Sequence, residues 1–321
     1  MRAQDPRLET QDPRRINIMS SCDENYAKLI PVQLLSIADN LVDVYEVHYF
    51  LFYSRVNEKI INFLKEYCEK LGIVFHGVRI TDTKPYEELA SKGGGWVYEA
   101  YFPFECHNFL PLEVERILYI DAADVLIIGD VGDYYFSDFE DCSLIVTCTR
   151  YKSNATGDFI ILDRDDLGKE ESRLGILRGL FNSGSYIMNL NRMRSDNLSI
   201  VDYIALKNAL EEIYPDTDNI YFGDQGLLGA AFVGSIKYYK YPEIKNLWYQ
   251  PFNFCIWFFD RATEICGGNP WYVPKILHFA GGIKPWSLTN ENENQLKPGQ
   301  WPFYRMYQLY ASQVPSMHKL I

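Results

Sequence analysis

The stretch Arg116-Ile-Leu-Tyr-Ile-Asp121-Ala-Ala-Asp124-Val-Leu-Ile-Ile-Gly129-Asp130 decides the fold. An apolar run, 117–120, leads straight into two carboxylates, and a second apolar run follows them. Such a run is a buried strand in outline. In open α/β sheets the ligand crevice lies beyond the carboxyl ends of the strands, so acids at that edge are placed to hold a divalent metal. An ordinary acidic turn has the same composition. The spacing adds a requirement, because in an ideal strand two residues three apart point to opposite sides. A bulge at Ala122-Ala123 would restore convergence of Asp121 and Asp124.

Outward from this stretch, strand-like and helix-like patterns alternate, the order expected of a sheet with helices on its faces. Strands are expected at 16–21, 44–53, 73–80, 116–120, 144–149, 185–190 and 275–279. Pro31 suits the first turn of a helix with Val32, Leu35, Ile37 and Leu41 on its buried face. Ile60, Ile61, Leu64, Cys68 and Leu71 recur at helical spacing, and Gly72 stops that helix. Further helices are expected at 96–109, 199–213 and 224–232. The glycines 93–95 mark a loop, and the polar stretch 150–171 reads as a long loop that carries function. The segment 286–321, polar with scattered aromatics, reads as irregular. The expected organisation is a tail over residues 1–15, a catalytic domain over 16–286 and a C-terminal appendage over 287–321.

Composition bounds the function. The 321 residues are 47% apolar and 23% charged, which supports a sizeable core. The formal net charge of −12 repels a phosphate backbone, so no nucleic-acid partner is expected. An anionic substrate then needs a local counter-charge such as a metal. Seven cysteines, an odd number without a Cys-x-x-Cys pair, read as free thiols of a reducing compartment. Residues 1–15 carry charge, Pro6 and Pro13 but no apolar run, which reads as a disordered tail rather than a signal peptide. No stretch approaches the roughly 20 apolar residues that span a bilayer. A cytoplasmic protein is expected. The aromatics Trp301, Phe303, Tyr304, Tyr307 and Tyr310 suit peripheral contact with the inner face of a membrane, but positive charge there is sparse, and packing onto the main domain suits them better.

Three further motifs carry candidate chemistry. In Lys275-Ile-Leu-His278-Phe-Ala-Gly281-Gly-Ile-Lys284-Pro-Trp286, a His at a strand end precedes a Gly-rich turn and a Lys. That layout supplies an imidazole ligand and an ammonium for a phosphate, although a lone His is often structural. Phe181-Asn182-Ser183-Gly184 and Phe222-Gly223-Asp224-Gln225-Gly226 place small polar groups at strand and helix edges, where they bond sugar hydroxyls or simply make a turn and a helix cap.

These pieces, with Ser21-Cys-Asp23-Glu-Asn25-Tyr26 after the first strand, stand in an order that resembles glycosyltransferase family 8, which includes bacterial lipopolysaccharide galactosyl- and glucosyltransferases and glycogenin. The resemblance covers residues 16–286. It implies an α/β, GT-A fold with a mixed, mostly parallel central sheet, a UDP-sugar donor, Mn²⁺ or Mg²⁺, and transfer with retention. Carried over by position, Ser21, Asp23, Asn25 and Tyr26 lie on the uridine, and Asp121, Asp124 and His278 bind the metal. Gly281 and Lys284 lie on the diphosphate, Asn182 and Asp224 contact the donor sugar, and Gln225 lies near the anomeric carbon. The acceptor, a glycan or lipid-linked group, is not named by the sequence. Two positions depart from the family pattern: Asp-Ala-Ala-Asp replaces Asp-x-Asp, and Pro103 stands where members often carry an Arg. A non-catalytic nucleotide-sugar binder, and more remotely a metal-dependent hydrolase, are the alternatives.

Overall fold

The computed structural model describes residues 14–90, 97–148, 151–152, 159–160, 181–213, 223–239, 252–256 and 274–315. Its strands, in chain order, are β1 (Arg15–Ser21), β2 (Glu46–Tyr53), β3 (Val74–Arg79), β4 (Arg116–Ile120), β5 (Val125–Ile127), β6 (Leu144–Cys148), β7 (Tyr151–Lys152), β8 (Phe159–Ile160), β9 (Phe181–Asn189), β10 (Ile236–Tyr239), β11 (Phe254–Cys255) and β12 (Ile276–His278). Seven form the main sheet in the order β10-β6-β9-β4-β1-β2-β3. Every pairing is parallel except those of β9, which runs antiparallel to both β4 and β6. The expected mixed, mostly parallel sheet is what forms.

Alternation along β2 builds a core on each side. Val47, Tyr49, Leu51 and Tyr53 pack with Ile16 and Ile18 and the helices Ile30–Ile37 and Glu58–Lys70. Phe50 and Phe52 pack on the other face with Met19, Tyr101, Phe102 and Phe104. Successive strand side chains point to opposite faces, so a strand buried on both sides must be apolar almost throughout. A second sheet, β11-β12-β5, stands at the end of the first. It rests on a third core of Leu126, Phe254, Leu277, Phe279, Phe303 and Tyr307.

Four expectations are corrected. The stretch expected as a helix over 96–109 is a 3₁₀ helix, Tyr98–Glu105, followed by one α turn, Cys106–Phe109. Pro103 inside it removes the donor that an α-helix needs there. Phe181-Asn-Ser-Gly is not a turn before a strand but the first four residues of β9. The segment expected to be irregular contains the helix Trp301–Gln313, whose Phe303, Tyr304 and Tyr307 are buried. Finally, no strand bulge joins the two acids, which are bridged by a turn described below. Of the tail expected over residues 1–15, residues 1–13 lie outside the described residues and Arg15 already belongs to β1, and most of the loop 150–171 also lies outside them. The five cysteines described with their side chains are buried free thiols. Among the described residues no helix is long and apolar enough to cross a membrane.

Candidate active site

β4 ends at Ile120, and the chain turns sharply before β5 begins at Val125. Ala123 takes a left-handed φ of 62°, and the Asp124 N–H donates to the Ala122 carbonyl at 2.7 Å, closing a three-residue turn. A non-glycine residue in that region costs on the order of 1–3 kcal/mol and persists only where its surroundings impose it. Gln33 imposes it. Its Nε2 donates to the carbonyls of Asp121 (2.8 Å) and Val125 (3.0 Å), one on each side of the turn. Its Oε1 accepts from Tyr49 Oη (3.0 Å) and Ser20 Oγ (3.3 Å), so the buried amide is fully used.

The turn, and not a strand, brings Asp121 and Asp124 to one side. His278 arrives from β12, which runs antiparallel to β5 with His278 opposite Val125. One ligand atom from each of Asp121, Asp124 and His278 lies within 4.8 Å of the others. His278 Nε2 stands 3.4 Å from Asp121 Oδ2, while Asp121 Oδ1 accepts from Tyr119 Oη at 3.0 Å. The imidazole is 4% exposed and Asp121 32%, so the cluster opens to solvent on the acid side. Lys284 Nζ contacts Asp124 Oδ2 at 2.7 Å and donates to the Phe279 carbonyl at 3.1 Å. Asp124 Oδ1 is buried and has no hydrogen-bond partner. A buried carboxylate oxygen without a partner, on an acid grouped with a second acid and an imidazole, fits a divalent cation.

The electrostatics follow from burial and neighbours. Burial resists charging of His278, but hydrogen bonds to Asp121 and Cys255 prevail and lift its pKa to about 10. Burial pushes Asp124 up against the pull of Lys284, and the charge of Asp121 adds to the push. Asp224, partly buried, rises to about 7 through burial first and the charge of Asp121 second. Asp224 therefore lies within electrostatic reach of the acid pair.

The remaining expected residues fall on the same edge of the sheet. Gly184, opposite the turn, accepts the Asp121 N–H at 3.1 Å through its carbonyl. A Cβ on Gly184 would stand 2.1 Å from His278 Cε1, so the glycine makes the space that the ring occupies. Asn182 Oδ1 accepts the Gly184 N–H (3.0 Å), and Gln225 Oε1 accepts the Ser183 N–H (3.2 Å). Gly281 adopts a φ of 127°, open to glycine and rarely to other residues, in the turn that leads to Lys284. Tyr26 packs edge-on against Trp286 at 5.8 Å, joining the first motif to the last. Ser21 is buried at the end of β1. Asp23 caps the following helix by accepting the Tyr26 N–H at 2.9 Å. With Asn25, Arg55, Tyr98 and Glu99, it lines a cleft of about 470 Å³ in which the acid pair takes no part.

Three residues escaped the sequence reading. Gln33 stood in an apolar helix as an isolated polar residue, and Asn253 and Cys255 stood in a stretch without pattern. Asn253 Oδ1 lies 3.3 Å from His278 Nδ1, and Cys255 Sγ 3.8 Å from it. The only signal available was burial of a polar side chain, which becomes visible once the fold exists.

Solved structures share this architecture. An active-site mutant of LgtC aligns over 95% of this chain and 100% of its own, with a TM-score of 0.65 at 16% identity. The galactosyltransferase LgtC in complex with donor and acceptor sugar analogues aligns over the same shares with a TM-score of 0.64. The glycosyltransferase GlyE of Streptococcus pneumoniae TIGR4 covers 95% of this chain and 63% of its own, with a TM-score of 0.59 at 16% identity. These likenesses establish a GT-A fold. General stress protein A of Bacillus subtilis (strain 168) is 23% identical over 284 residues, 86% of this chain and 89% of that protein. Residues 17–290 match the profile described as glycosyl transferase family 8, and a match over that much of the chain, on this fold, makes the protein a family 8 glycosyltransferase.

Proposed function

We propose that the protein transfers a hexose, glucose or galactose, from a UDP-sugar to a glycan or lipid-linked acceptor with retention of configuration and dependence on Mn²⁺ or Mg²⁺. The observation that carries this reading is the convergence of one ligand atom each from Asp121, Asp124 and His278 within 4.8 Å, with Asp124 Oδ1 buried and without a partner. A divalent ion held there supplies positive charge opposite a departing diphosphate. Lys284 adds a second positive charge, at the cost of leaving Asp124 for a phosphate oxygen. Asp23, Asn25 and Tyr26 hold the uridine beside the cleft, and Asn182 and Asp224 meet the sugar hydroxyls.

An amide is a poor covalent nucleophile, so retention at Gln225 is assigned to attack from the face that the phosphate leaves, with Gln225 positioned beside the anomeric carbon. Its anchoring to the Ser183 N–H supports a positioning role. Gln225→Ala lowers turnover about 10²-fold with donor binding retained, read by UDP-hexose hydrolysis and by calorimetry of UDP binding. Near-normal turnover would remove Gln225 from the reaction. The reading as a whole is tested by screening UDP-sugars for Mn²⁺-dependent hydrolysis.

Pro103 favours a second reading, a nucleotide-sugar binder without catalysis. It is buried in the aromatic 3₁₀ helix, at about the place where family members often carry an Arg. UDP-sugar binding without hydrolysis of any donor would select this reading.

A further inference from the structure

We infer that Asn253 is a positioning residue that dictates which nitrogen of His278 faces the metal, a role that rests on the proposed metal site. The argument runs through groups that can only accept. The Asn182 backbone carbonyl has no hydrogen to give, and it lies 3.0 Å from Asn253 Nδ2. The amide of Asn253 is thereby oriented with its NH₂ toward Asn182, whose Oδ1 accepts from the same group at 3.2 Å. Asn253 Oδ1 must then face the other way, toward His278 Nδ1 at 3.3 Å. An amide oxygen also only accepts, so the hydrogen between them belongs to Nδ1. Nε2, which stands 3.4 Å from Asp121 Oδ2, is then the nitrogen that would give up its hydrogen to a metal.

Two further contacts keep the ring from escaping this choice. The Cys255 thiol, paired with His278 across β11 and β12, donates to the same Asn253 oxygen at 3.6 Å. Gly184 closes the other side so tightly that no side-chain carbon fits between it and the ring. Asn253 is 3% exposed, so water does not compete for its oxygen. Partners outside the ligand set commonly fix the tautomer and orientation of a metal-bound imidazole. Here the chain of acceptors begins at the backbone of β9, the strand that also fixes Asp121.

The test labels histidine with ¹⁵N and adds Cd²⁺, a diamagnetic substitute for Mn²⁺, together with UDP. The expected long-range spectrum shows His278 with its proton on Nδ1 and the metal on Nε2. Metal on Nδ1 would overturn the inference. Mn²⁺ titration followed by electron paramagnetic resonance, with UDP present, supplies the second arm. Asn253→Leu weakens Mn²⁺ binding about 10- to 100-fold, and Asn253→Asp retains more of it by keeping an acceptor for Nδ1. Equal affinity in the wild type and Asn253→Leu would overturn the positioning role while leaving the metal site intact. No Mn²⁺ binding by the wild type would instead sink the metal reading itself. Should Asn253→Leu fail to fold, the wild-type spectrum and Asn253→Asp still decide.

Discussion

Asp121 and Asp124 each have a cationic neighbour, an imidazole at 3.4 Å and an ammonium at 2.7 Å. Glu99, withdrawn from water to 3% exposure at the neighbouring cleft, is met by the Ser54 hydroxyl at 3.0 Å, itself bonded to Tyr98 Oη at 2.8 Å. Burial, with the charge of Asp23 adding to it, pushes Glu99 toward its neutral form. Two acidic regions, one partly open and one buried, are thus prepared for different work. Where a countercharge stands ready, a carboxylate can exchange it for a cation. Where only hydroxyls stand, a carboxylate serves best as a hydrogen-bonding group.

The contrast breaks most visibly at His278. His278→Ala removes one of the three proposed ligands and is expected to lower turnover with Mn²⁺ about 10³-fold, several kcal/mol of transition-state stabilisation. Retained turnover in a UDP-hexose hydrolysis assay would detach the cation from this corner. Gly184→Ala comes next. The added methyl has to displace the imidazole, and overpacking of this kind costs about 1–3 kcal/mol. Its expected readout is a weaker Mn²⁺ affinity with the far-ultraviolet circular dichroism unchanged.

A smaller effect sharpens the electrostatic side of the comparison. Asp224 has a folded pKa of about 7, against an ordinary value of 3.8. Between those values the folded chain keeps a proton that the unfolded chain has released, so stability falls as pH rises across that window, by at most about 4 kcal/mol. Asp224→Asn should flatten the fall in urea midpoints measured from pH 4 to pH 8 without metal or nucleotide. Smallest is Glu99→Gln, which keeps the hydrogen bond and removes the charge. Its turnover changes less than about tenfold, and because the folded pKa of Glu99 is raised, the variant gains stability at pH 8 relative to pH 4. A loss at pH 8 would mean that the cleft, like the acid corner, supports a buried anion.

Much of this was legible in the chain. The alternation in 44–53 and the apolar runs on either side of Asp-Ala-Ala-Asp gave the sheet, because strand burial is written in local composition. His278 and Lys284 were legible for the same reason, as a reactive pair bracketing a Gly-rich turn. The way the two acids converge was not. It depends on a left-handed Ala123, a conformation that alanine does not advertise, and on Gln33, whose partners lie about 90 residues away in sequence. Asn253 was hidden similarly, since its value lies wholly in what faces it. The helix Trp301–Gln313 went unseen because polar residues interrupt its aromatic face, although Pro302 in its first turn is a helix-start signal.

Gln33 ties the turn between Asp121 and Asp124 to Ser20 in β1 and Tyr49 in β2, the middle of the main sheet. The turn therefore has no cooperative unit of its own. Amide hydrogens at Asp121 and Asp124 should exchange with solvent only through the rare openings that unzip the central strands. Arrival of a cation then has little chain to order, and its binding should carry a heat-capacity change near zero.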